Sequence, residues 1–139
     1  MKGVTITPLT KINDGRGSIF HMMRRDDPLF TKFGEIYFST IYPGVVKAWH
    51  YHNKMTLNYA VIKGMIKLVV HDRTSYEEIY IGDRNYCLVT IEPGIWNGFM
   101  VIGKEEAIVA DLTDMPYEAG EMMRAAWDGF EYKWEVKNG

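Results

Sequence analysis

The chain has 139 residues, 47% hydrophobic and 24% charged, with a formal net charge of -2. That is the size of one globular domain with enough apolar surface for its own core, and 1–139 reads as a single unit. The balanced charge argues against a nucleic-acid partner and against an anionic membrane surface, and Arg24-Arg25 is followed at once by Asp26-Asp27.

Short β-like runs broken by Gly, Pro and Asp turns follow one another along the chain. The N-terminus lacks a signal-peptide pattern and no apolar stretch approaches a membrane span, so the cytoplasm is the expected compartment. Residues 3–9 alternate and predict a strand. Asn13-Asp14-Gly15-Arg16-Gly17 is a turn leading into a strand over 18–22. Strands follow over 35–41 and, after Tyr42-Pro43-Gly44, over 45–52. Residues 55–62 and 65–72 flank the Lys63-Gly64 turn. Further strands are predicted over 77–81, 87–91, 96–102 and 107–112. The lone cysteine, Cys87, excludes a disulfide framework and a multi-cysteine zinc site, and its apolar run predicts a small buried hydrophobe. Residues 116–127 predict a short helix, and 130–134 a last strand or a surface arm. This spacing predicts an all-β fold with little helix: an antiparallel jelly roll, the double-stranded β-helix of cupins.

Two of the four histidines, His50 and His52, are separated by one residue and share a strand face. Paired imidazoles can ligate a metal, move protons or bind a polar ligand. Gly44 lies six residues before His50 and Gly64 twelve after His52, a spacing similar to the first cupin motif. Pro93-Gly94-Ile95-Trp96-Asn97-Gly98-Phe99 is similar to the second. In metal-binding cupins the remaining ligands would fall near Leu57 and on Asn97, neither of the required type. No structural metal or other cofactor is therefore expected, although a metal on His50, His52 and an unidentified carboxylate stays open. Trp49 and Tyr51 should pack on the opposite face. Trp96 and Phe99 suit either the pocket wall or the core. His21 and His71 read as ordinary surface or turn residues, and Met122-Met123 with Trp127 as a cover over the barrel or a dimer interface.

The ordered series Asp14-Gly15-Arg16-Gly17, Gly44 to His52, Lys63-Gly64, Pro93 to Phe99, Thr113-Asp114 and Trp127-Asp128 resembles the dTDP-4-dehydrorhamnose 3,5-epimerase family of metal-free cupins, over roughly residues 3 to 134. The resemblance implies that His50 is the base that removes a proton next to a 4-keto group, that Arg16 contacts the nucleotide sugar and that Lys47 faces the diphosphate. It also implies a homodimer with pocket residues shared across the interface. Several family positions differ: the tyrosine acid falls on Ala110, a second pocket histidine on Asn97, the pocket lysine near Leu57 with Lys54 close by, and an arginine has become Lys47.

Proton abstraction next to a ketone needs a base, a stabiliser for the enolate oxygen and an acid. His50 supplies the base. Lys47, Lys54 or Asn97 could stabilise the oxyanion, and Tyr37, Tyr59 or His52 could be the acid. Asp111 or Glu35 could orient the base, Asp111 being otherwise a turn residue at a strand end, and Trp96 could stack on the ligand. Arg16 could equally be a surface turn residue. The expected function is an isomerase or epimerase of a nucleotide-linked 4-keto-6-deoxy sugar, short of full 3,5-double epimerisation. A catalytically degenerate cupin that binds such a sugar without turnover is the alternative, and a small metal-dependent cupin a third reading.

Overall fold

Twelve strands and no helix form among residues 1–135, which the computed structural model describes. In chain order they are β1 (Val4–Pro8), β2 (Lys11–Asp14), β3 (Gly17–Phe20), β4 (Glu35–Ile41), β5 (Val46–His52) and β6 (Leu57–Lys63). The rest are β7 (Met65–His71), β8 (Tyr76–Gly82), β9 (Cys87–Ile91), β10 (Trp96–Ile102), β11 (Ala107–Thr113) and β12 (Met122–Arg124). Two five-stranded antiparallel sheets result, in the orders β1-β9-β6-β11-β4 and β12-β5-β10-β7-β8, with β2-β3 as a separate ribbon. This is the jelly roll that the turn spacing predicts. Turn chemistry sets the entry to the histidine strand: Val45 N–H donates to the Tyr42 carbonyl (3.3 Å) and Gly44 takes a φ of +80°, which a side chain would resist.

The core lies between the sheets. Leu57, Tyr59 and Val61 of β6, Val89 and Ile91 of β9, and Val109 of β11 meet Ile66, Leu68 and Val70 of β7 and Phe99 and Val101 of β10. Alternation along each strand sends these side chains inward. Cys87 is buried there, as its apolar run predicts, and burial raises its thiol pKa.

The helix expected over 116–127 does not form. Gly120 has a φ of +83°, and Met122–Arg124 pair with β5 instead. The local helical preference is small, and a strand partner outweighs it. Residues 130–134 form an arm, with Phe130, Tyr132 and Trp134 packed over Trp49, Val69 and Trp96 on the outer face of the second sheet. Lys67 Nζ lies 5.2 Å from the Tyr132 ring and 5.6 Å from that of Trp134. This cover leaves β7 buried on both faces, which is why Met65–His71 reads as a nearly unbroken apolar run. It also corrects the expectation for His71, which is 0% exposed, stacked on Tyr76 and edge-on to Trp49. No described helix is long and apolar enough to cross a membrane.

Candidate active site

A bulge aims the histidine strand. Asn97 of β10 pairs with His50 and Gly98 with Ala48, so Trp49 is the inserted residue. Strict alternation would send Lys47 outward with Trp49 and Tyr51. The insertion instead sets Lys47 opposite Phe99 and lets it share a cavity with His50 and His52. Trp49 and Tyr51 join the outer aromatic cluster, as expected from their alternation with the histidines.

The cavity measures about 740 Å³ and opens between the sheets, within the range of small-molecule sites. His50, His52 and Lys47 of β5 stand on one wall with Met122 and Arg124 of β12; Glu35, Tyr37 and Ser39 of β4 and Asp111 of β11 stand on the other. Met55, Tyr59, Phe99 and Val109 line its inner part. A second cavity, of about 610 Å³, lies over the non-core side of β1 and β9; His21 is the one histidine in its wall, so it offers no imidazole pair.

The two walls differ in chemistry. Tyr37 Oη donates to Asp111 Oδ2 (2.7 Å), and the Asn58 N–H donates to Asp111 Oδ1 (3.1 Å). Burial pushes the Asp111 carboxyl up to about 7 against the pull of these bonds. Burial and the neighbouring Asp111 raise the Tyr37 hydroxyl far above its ordinary value. On the facing wall, burial, with the charges of Arg124, His52 and Lys47, lowers His50 to about 4, so its imidazole is neutral at pH 7. His52 Nδ1 lies 2.7 Å from Glu121 Oε1. Glu121 is the carboxylate in contact with the histidine pair, on His52, while Asp111 and Glu35, expected beside His50, line the cavity. At the floor, Tyr59 Oη donates to Asn97 Oδ1 (3.1 Å) and ties the sheets together.

Eight of the eleven catalytic and binding candidates named from the sequence meet at this cavity: His50, His52, Tyr37, Tyr59, Lys47, Asp111 and Glu35 in its wall, and Asn97 beneath it through Tyr59. Lys47 Nζ is held by Ser39 Oγ (3.2 Å) and the Thr40 carbonyl (2.6 Å). The other three lie elsewhere. Trp96 is buried on the outer face against Tyr51 and Phe130, so its role there is packing. Lys54 Nζ pairs with Glu118 (3.3 Å) and is not in the wall. Arg16 stands at the tip of the β2–β3 ribbon, its side chain 92% exposed and paired with Asp14. Met122 lines the cavity, and Phe99 both packs in the core and lines the cavity. Arg124 and Glu121 went unrecognised because they fall in the segment read as helix, and Glu121 meets a histidine 69 residues away in sequence. Among the described residues no three His, Cys, Asp or Glu side chains gather as a metal site.

Comparison with known proteins gives this cavity its context. Residues 2–134 match the FdtA family, described as WxcM-like, C-terminal. The chain belongs to that family. The spore coat polysaccharide biosynthesis protein SpsL of Bacillus subtilis strain 168 is 30% identical over 148 residues, covering 97% of this chain and 98% of SpsL. A dTDP sugar isomerase from Desulfovibrio desulfuricans G20 superposes with a TM-score of 0.91 at 36% identity, covering 96% of this chain and 91% of that one. A dTDP-4-dehydrorhamnose 3,5-epimerase from Sulfolobus tokodaii shares the fold, with a TM-score of 0.84 at 20% identity, covering 99% of this chain and 84% of that one. The chain is thus a WxcM-like family member that shares its cupin fold with sugar-nucleotide isomerases and epimerases.

Proposed function

We propose that the protein isomerises a nucleotide-linked 4-keto-6-deoxy sugar by removing the proton from the carbon next to the ketone. The observation that carries this reading is the opposition of walls: two imidazoles on β5 face the Tyr37–Asp111 pair across a cavity large enough for a sugar ring. A base takes the carbon-bound proton, the C–H electron pair forms the new C=C bond, and the carbonyl electrons move to oxygen as an enolate. Protonation of the enolate oxygen, loss of the proton from the neighbouring hydroxyl and return of a proton to the former carbonyl carbon complete the shift, with no net change in atoms or electrons.

Of the two imidazoles, His50 is named first by the family resemblance, but its surroundings oppose a proton there. His52 touches a carboxylate that shares the charge of an incoming proton. We therefore assign proton abstraction to His52 and a hydrogen bond to the enolate oxygen to neutral His50. Tyr37 and Asp111 then return a proton from the other side. Lys47 and exposed Arg124 suit a diphosphate. One abstraction per turnover, rather than double epimerisation, fits a site with one carboxylate-bound histidine. A homodimer belongs to this reading: the ribbon exposes Ile12 and Ile19 and holds Arg16 clear of its own cavity, as a residue donated to a second copy would be.

Solvent-deuterium wash-in tests the function. Label should enter next to the ketone of a dTDP-, CDP- or GDP-linked 4-keto-6-deoxy sugar, and His52→Ala should abolish it. Saturable calorimetric binding without label for all three would replace the enzyme reading with a binding module; silence in both assays would reject both.

A further inference from the structure

Glu121 precedes β12 and is almost completely buried, yet the sugar-binding walls do not include it. Its contacts are unusually complete for a carboxylate. Oε1 meets His52 Nδ1 at 2.7 Å, and Oε2 accepts the amide N–H groups of Lys54 and Met55, both at 3.0 Å. Its carbonyl accepts the Asn53 N–H (3.0 Å) and Asn53 Nδ2 (2.8 Å). The turn after β5 is thus wrapped around this one residue. Burial works against the charge, but the Lys54 amide, His52 and the Met55 amide outweigh it and lower the carboxyl pKa. Glu121 is ionised at neutral pH.

An ionised carboxylate can only accept hydrogen bonds. When His52 carries a single ring proton, that proton therefore sits on Nδ1 facing Glu121, and the lone pair is left on Nε2. We propose that Glu121 is a positioning residue that locks His52 in the Nδ1–H tautomer, presenting an unprotonated Nε2 to the cavity. This deepens the isomerase reading and rests on it for its catalytic consequence, although the tautomer itself does not.

The substitution Glu121→Gln is informative because the side-chain amide must choose. Two backbone N–H groups need an acceptor, so the Gln oxygen stays with Lys54 and Met55 and its NH₂ turns to His52 Nδ1. That contact favours the Nε2–H tautomer and removes the base. Long-range ¹H–¹⁵N spectra of the imidazoles should show Nε2 unprotonated in the wild type and protonated in E121Q. The kcat should fall roughly a hundredfold to ten-thousandfold, the span of general-base catalysis, with KM changed less than about threefold because no binding group is lost. Glu121→Asp, which keeps the charge, should recover part of kcat. A wild-type His52 protonated at Nε2 overturns the proposal even if E121Q fails to fold. An unchanged tautomer or an unchanged kcat in folded E121Q overturns it as well. If instead the wild type exchanges no proton on any keto-sugar, the isomerase reading fails while the spectra still judge Glu121.

Discussion

Replacing Asp111 with Asn should stabilise the protein at pH 8 relative to pH 4. The Asp111 carboxyl is 1% exposed, and burial carries it from 3.8 to about 7. Because the folded value is raised, the folded state holds a proton that the unfolded chain has released across this interval. Stability is therefore full below about 4 and declines as pH rises towards 7. At about 1.4 kcal/mol for each tenfold step, ionising Asp111 in place costs up to about 4 kcal/mol. Asn has nothing to ionise. Its oxygen can keep the Asn58 N–H, and its NH₂ can donate to Tyr37 Oη, so both bonds survive with one direction reversed. Urea unfolding of both proteins at pH 4 and pH 8 provides the comparison. His50 and His71, both lowered by burial, titrate in the same range with the opposite sign, but they are common to both proteins and cancel in the difference. The variant should gain up to about 4 kcal/mol on the wild type between the two pH values. A difference that stays constant would refute the claim that Asp111 is held protonated by burial.

Burial, joined by the Arg73 charge, lowers His71 from 6.5 to about 4. Its folded value is depressed, so its stabilising share is intact above 6.5 and is lost as pH falls to about 4, by up to about 3 kcal/mol. His71→Phe should flatten the acid limb of the urea midpoint against pH, and an identical limb would refute this. Gly98→Ala should displace the histidine strand, since a Cβ there would lie 2.4 Å from Ala48 Cβ and 3.0 Å from Ala48 Cα. Relieving such overpacking costs on the order of 1–3 kcal/mol. A melting temperature equal to wild type would show that the bulge is not held by this close approach.

The parts of this protein legible in its sequence are those decided over a few residues. β-branched, aromatic and apolar runs placed the strands at 35–41, 87–91 and 96–102, and Pro-Gly turns marked where the chain reverses. The one-residue spacing of His50 and His52 put both rings on one face, and the ordered motifs led to the correct fold. Tertiary structure decided what depends on neighbours far along the chain. Residues 122–124 became a strand because β5 offered open hydrogen-bonding groups, and His71 was buried because the 130–134 arm covers it. Tyr37 and Asp111 are 74 residues apart, His52 and Glu121 69. Local periodicity records which way a side chain points; which partner it meets there, and so which proton it holds, is set only when the sheets close around the cavity.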